Sequence, residues 1–163
     1  LTLTPSGGGS PITASLVQSG GRAITRAFAV YAADVTADTY TITGTRPSSA
    51  RASYLTSITV ENGDVAQITA PAFTSISNEN DPHLTGSAIV PVNAIALGWL
   101  MKENAVAGTA NAPTTLISDG YVTGVGQSCG FVFGSRTDSG QLSFNNGFGT
   151  WSRGFIVIKA LGS

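Results

Sequence analysis

The chain contains one histidine, His83, and one cysteine, Cys129, so most routes to catalysis must pass through very few residues. The stretch GQSCG, Gly126 to Gly130, has the G-x-S-x-G spacing that seats a nucleophilic serine on a tight turn from strand into helix. Such a serine needs a base, and the order His83, Asp119, Ser128 matches one of the known triad orders. The residues that follow, FVFGS, read as strand rather than helix. Neither Ser128 nor Cys129 has a Lys, Arg or His within five residues to activate it. We expect no catalytic centre and no cofactor. Cys129 reads as a small buried apolar residue, and a lone cysteine forms no intrachain disulfide.

Two other stretches concentrate polar or aromatic groups. SNENDPHL, Ser77 to Leu84, brings Asn78, Glu79, Asn80, Asp81 and His83 together. Oxygens at that density can hold calcium, but the spacing fits no EF-hand loop, and Asn-Asp-Pro is a common turn opener. The expectation is a solvated loop without metal. SFNNGFGTW, Ser143 to Trp151, sets Phe144 and Phe148 around an Asn145-Asn146-Gly147 turn, with Trp151 beyond. Aromatic residues at a loop tip serve glycan and protein recognition. Phe144, Asn145, Asn146, Phe148 and Trp151 are therefore the candidate ligand or receptor loop. The competing reading has the aromatic side chains closing the end of a barrel.

The elements that must position these groups are β in character. Charged residues make up 10% of the chain, against about 25% in ordinary soluble domains. The net charge of -1 and the scattered arginines give no footprint for nucleic acid or anionic lipid. A surface so poor in charge has little repulsion to keep copies apart, which favours an obligate assembly. The longest apolar run, Ala88 to Met101, is interrupted by Pro91 and Asn93 and is too short to span a bilayer. A chain that opens on Leu1 rather than Met is expected to be processed or a piece of a longer one.

Residues 1–10, LTLTPSGGGS, read as an extended arm and flexible linker, and 11–163 as one β-domain. Short Val/Ile/Thr/Tyr/Phe runs punctuated by Gly, Pro and Asn predict strands near 12–18, 23–32, 39–45, 54–60, 65–70, 87–92, 94–102, 114–118, 121–126, 129–134, 141–145 and 153–161. The fold class expected is all-β, an antiparallel sandwich or jelly-roll barrel with little or no helix. Around Asn62-Gly63, a three-residue loop with Gly63 left-handed would pair Ile58 with Ala66 and Thr56 with Ile68. From 94 to 101 large and small residues alternate, so the small face admits a close neighbour. Thr39, Thr41 and Thr43 read as a solvated strand face.

At the C-terminus, GFIVIKAL alternates Phe155, Val157, Lys159 and Leu161 with Ile156, Ile158 and Ala160, apolar on both faces except at Lys159. A strand of that kind lies inside a sheet or under a partner. The expectation is a central strand with Phe155, Ile156, Val157, Ile158 and Leu161 contributing to a subunit interface. This run resembles the closing strand of TNF/C1q-type jelly-roll knobs. The low charge, the abundance of Gly, Thr, Ala and Asn, and the many short strands resemble virion proteins of tailed bacteriophages, both fibre knobs and capsid decoration subunits. The resemblance implies a non-enzymatic homotrimer, in a virion or outside the cell, that meets other virion proteins or a surface glycan. Two alternatives stand beside it. One is an adhesive carbohydrate-binding module. The other is a filament subunit that donates its N-terminal strand across the Gly linker.

Overall fold

A computed structural model describes residues 1–20, 25–29, 39–44, 57–58, 60–69, 74–103, 107–124, 127–147 and 149–162. Among them there is no helix, and every strand pair is antiparallel. The strands are β1 (Thr2–Pro5), β2 (Ile12–Thr13), β3 (Ser15–Gly20), β4 (Thr25–Ala29), β5 (Tyr40–Thr43), β6 (Gly63–Thr69), β7 (Thr74–Glu79), β8 (His83–Ala88), β9 (Ala94–Glu103), β10 (Thr109–Ala110), β11 (Thr115–Gly124), β12 (Gln127–Arg136), β13 (Gly140–Asn145) and β14 (Gly149–Ala160). The all-β class expected from the punctuation is the class observed.

The principal sheet runs β11-β12-β9-β14, with β14 at its heart. One edge of β14 pairs with β9 from Trp151 to Lys159. Its other edge is shared by β7, opposite Gly149 to Arg153, and β6, opposite Val157 to Ala160. The apolar terminal run thus escapes fraying because it is hydrogen-bonded on both sides. Phe155 and Val157 enter a core with Ala96 and Leu100 of β9, Val132 of β12, and Leu142 and Phe144 of β13. Ile156 and Ile158 enter a second core, on the opposite face, with Leu97, Trp99, Phe131 and Phe133. Both faces are covered within a single chain. Phe155, Ile156, Val157 and Ile158 are therefore buried within the chain, where a subunit interface was expected, although Ile158 also lines a groove open to solvent; Leu161, in the turn that follows, is exposed.

A smaller sheet, β10-β13-β8, packs on the first of these faces. The small residues of β9 let it come close: a Cβ placed on Gly98 would stand 2.7 Å from Leu142 Cδ2. The alternation read at 94–101 thus admits another layer of the same chain. The pairing of β13 with β8 shifts register between Gln141 and Ser143. A bulge withdraws backbone groups from the ladder, and two threonines recover them. The Thr85 hydroxyl accepts the Leu142 N–H at 3.0 Å, and that of Thr114 accepts the Ser143 N–H at 2.9 Å. Both threonines are buried, where an unpaired N–H is expensive.

Several boundaries differ from expectation. The run expected as a strand at 87–92 divides: β8 ends at Ala88, and Ile89 to Asn93 form the connection to β9, with Ile89 and Val92 facing solvent. Asn93 is left-handed there, at φ 60°, and the Ala94 N–H closes the turn on the Pro91 carbonyl. The strands expected at 114–118 and 121–126 are one, β11, because Gly120 lies against the Phe131 ring instead of turning the chain. At the expected Glu61–Gly63 loop the left-handed residue is Asn62, at φ 58°. Gly63 instead opens β6, whose Ile68 pairs with Ile158, and Ile58 lies outside any strand. Thr56 and most of the strand expected at 54–60 lie outside the described residues. The N-terminal arm is paired on both edges within the chain, β1 lying between β2 and β5. The threonine row at 39–43 coincides with β5, where Thr41 and Thr43 are exposed as expected.

Gly134 is tightly enclosed: a Cβ would meet Thr114 Cγ2 at 2.6 Å, Phe144 Cε1 of the smaller sheet at 3.0 Å and the Thr115 carbonyl oxygen at 3.1 Å. Gly134→Ala should lower unfolding stability by about 1–3 kcal/mol through overpacking, measured by urea denaturation. Removing residues 155–163 takes away half of the central strand and should abolish the cooperative transition altogether.

Candidate functional site

The expected recognition loop joins β13 to β14, and the structure anchors it at nearly every residue. Phe144, on the last turn of the β13 alternation, is completely buried in the first core. It closes the sandwich and is not a loop-tip aromatic. Asn145 is half-buried and Asn146 buried. Gly147 adopts φ 72°, a left-handed value that glycine accepts without strain. Phe148 lies outside the described residues. Trp151 is in β14, opposite Lys102 of β9 and Ile76 of β7.

The SNENDPHL stretch supplies the principal anchor. Asp81 follows β7, and its carboxylate accepts the Asn146 N–H on Oδ1 and the Gly147 N–H on Oδ2, each at 2.8 Å. His83, the first residue of β8, is fully buried. Its Nε2 lies 2.9 Å from Asp81 Oδ1 and 3.2 Å from the Gly147 carbonyl oxygen. Both neighbours are acceptors, so Nε2 carries the proton and donates to them. Lys102 Nζ donates to the Asn146 carbonyl at 3.0 Å. On the other flank, the Asn145 and Asn111 side chains exchange two amide hydrogen bonds, at 2.7 and 3.0 Å, and Asn111 also donates to Ser143 Oγ. The Asn146 side-chain amide is buried with neither polar atom hydrogen-bonded among the described residues.

This arrangement is a clamp on backbone. The carboxylate and imidazole that sequence alone offers to calcium or to a triad are turned onto the amides and carbonyl of a loop more than sixty residues away. Among the described residues, no three His, Cys, Asp or Glu side chains stand close enough to share a metal ion. GQSCG falls on no turn into a helix: Gln127 to Gly130 open β12, with Ser128 opposite Thr123. Asp119 pairs with Val132, four residues further along β12, which separates it from Ser128 by about 13 Å along the strand. His83 belongs to the other sheet.

Charge is used in a similar way at the β12–β13 hairpin. Arg136, largely buried, donates through Nε and Nη2 to the two Asp138 carboxylate oxygens at 3.1 and 2.8 Å. It also donates to the carbonyls of Ser139 and Gln141. The Arg136 guanidinium holds the Asp138 carboxyl below its ordinary value of 3.8, against a smaller opposing effect of desolvation.

Of the residues that matter here, Asp81 and His83 stood out in the sequence by their chemistry, but their purpose did not. Lys102, Asn111, Thr85 and Thr114 carried no signal, because their partners lie on other strands. Compared with protein-family models, curated proteins and solved structures, the chain matches none.

Asp81→Ala would leave two loop amides without their acceptor and remove the carboxylate from beside His83. It should cost about 1–3 kcal/mol of stability and accelerate hydrogen exchange at Asn146 and Gly147, read by NMR. For Asp138, a depressed folded-state value means that its stabilising contribution is present above the ordinary value and is lost as pH falls through the folded one. The difference in melting temperature between the wild type and Asp138→Asn should therefore be largest near neutral pH and shrink below about pH 4.

Proposed function

We propose that this chain is a non-enzymatic structural subunit that assembles with copies of itself, of the capsid-decoration or fibre kind found in bacteriophage virions. The observation that carries the reading is the direction of its chemistry-bearing side chains. Asp81, His83, Lys102 and Arg136 all hold backbone groups of neighbouring loops in place. A chain that commits its few charges to fixing loops is built to keep its shape. The low charge of the whole sequence supports repeated contact between like subunits. The trimeric state and the virion setting come from the resemblance of the charge-poor β sequence and its closing strand.

The adhesive alternative loses its central aromatic with Phe144 in the core. The donated-strand alternative needs β1 free, whereas β2 and β5 flank it in its own chain.

Multi-angle light scattering of the purified chain should return three times the chain mass at micromolar concentration. A monomer at all concentrations would refute the assembly reading. A fluorophosphonate probe should leave the protein unlabelled; labelling that disappears in Ser128→Ala would instead make it a hydrolase.

A further inference from the structure

Six of the nine large apolar residues that stand exposed in the described structure gather at one end of the sandwich. These are Ile58, Ile89, Val92, Leu116, Ile117 and Leu161. Strand register places them together. Leu116 opposes Gly134, Ser135 opposes Leu97, and Arg136 opposes Ala96. Ala94 in turn opposes Lys159, and the Ala160 and Leu161 N–H groups bond to the Asn93 and Asn62 carbonyls. The Ser139 hydroxyl ties the same end to Val90.

This end has two complementary shapes. Ile89 and Val92 project, 81% and 86% exposed, from a loop whose Val90 is held in the core. Beside it lies a groove of about 620 Å³ whose apolar walls include Ile58, Ile95, Leu97, Ile117 and Ile158. Among the described residues, Glu61 and Lys159 bring charge to its lining, one of each sign. Of the neighbouring charges, Asp64 accepts from the Ala66 N–H and the Gln67 side chain, and Arg136 is paired with Asp138. The six residues expose roughly 600 Å², the upper limit of apolar patches on ordinary monomers, and one loop-in-groove contact draws on that area from both partners together.

We propose that this end is the surface through which copies of the chain meet, the Ile89–Val92 loop of one copy seating in the groove of the next. The inference rests on the assembly reading above and assigns it a location. A second copy is the occupant that fits, since an apolar, almost neutral surface presents no like-charge penalty when it meets itself. A projection and a recess at separate places on one surface make a head-to-tail contact, which closes into a ring when the rotation between copies permits.

The test uses the full chain. Ile89→Ser/Val92→Ser removes the projection, and Ile117→Lys places a charge in the groove. Tyr121→Ser, on the far part of β11 and also exposed, is the control. By light scattering, the wild type and the control should be oligomeric, and both test variants should be monomeric with unchanged far-ultraviolet circular dichroism. Mixing the two test variants should restore a one-to-one pair, because one intact loop then meets one intact groove. Loop variants that remain folded and oligomeric would overturn the location while leaving the assembly reading standing. A monomeric wild type would overturn both, and if it bound a fluorescent fatty-acid probe that Ile117→Lys did not, the groove would belong to a lipid. Should Ile117→Lys fail to fold, the loop variant alone decides, since its two side chains are almost fully in solvent.

Discussion

The structure depends on one strand being buried from every direction. Two edges of β14 are occupied by hydrogen bonds and two faces by cores. Its register is fixed because side chains alternate between faces, and a slip of one residue would exchange all of them. Phe155 and Val157 would then face the side built for Ile156 and Ile158. Glycine placement reinforces the setting. Gly98 lies opposite Phe155 and Gly154 opposite Trp99, so each large ring has a small neighbour across the ladder. The same Gly98 lets Leu142 approach from the second sheet, and the position of that sheet follows from the register of β14.

The polar residues act on what the ladders leave unfinished. Where β13 bulges, Thr85 and Thr114 complete its hydrogen bonding; where it leaves the sheet, Asp81, His83 and Lys102 complete that of the following loop. The hairpin before it depends on Arg136. One short strand, β13, thus engages polar side chains from β8, β12 and the β10–β11 connection. In a chain with so few charges, that concentration distinguishes a shape-determining element from an accessory one.

What the sequence disclosed follows from the range of the interactions involved. The alternation of β9 and the doubly apolar β14 are local patterns, and they predicted a β fold and a central terminal strand. Turn residues misled where tertiary packing overrode them. Asp119-Gly120 has the composition of a turn, yet Gly120 is used for contact with Phe131. Apolarity misled at Ile89–Val92, which reads as strand but is a connection in which Ile89 and Val92 face solvent while Val90 enters the core. Phe144 shows the same limit from the other side: next to Asn-Asn-Gly it looks like a loop residue, and only its partners on another sheet make it core. Asp81 and Gly147 cannot be associated from spacing, because no periodicity spans two sheets.

The central place of β14 also imposes an order of events. Its partners β6, β7 and β9 all precede it in the chain, so they emerge from the ribosome before the strand that joins them. Until Gly149–Ala160 arrives, β6 and β7 have no partner in the principal sheet, and β9 has one open edge. Sheets closed by such distant pairings fold slowly, in about milliseconds to seconds, and unpaired edges invite association in the interval. In this chain the state most open to wrong pairing is the one in which that edge still waits for its strand.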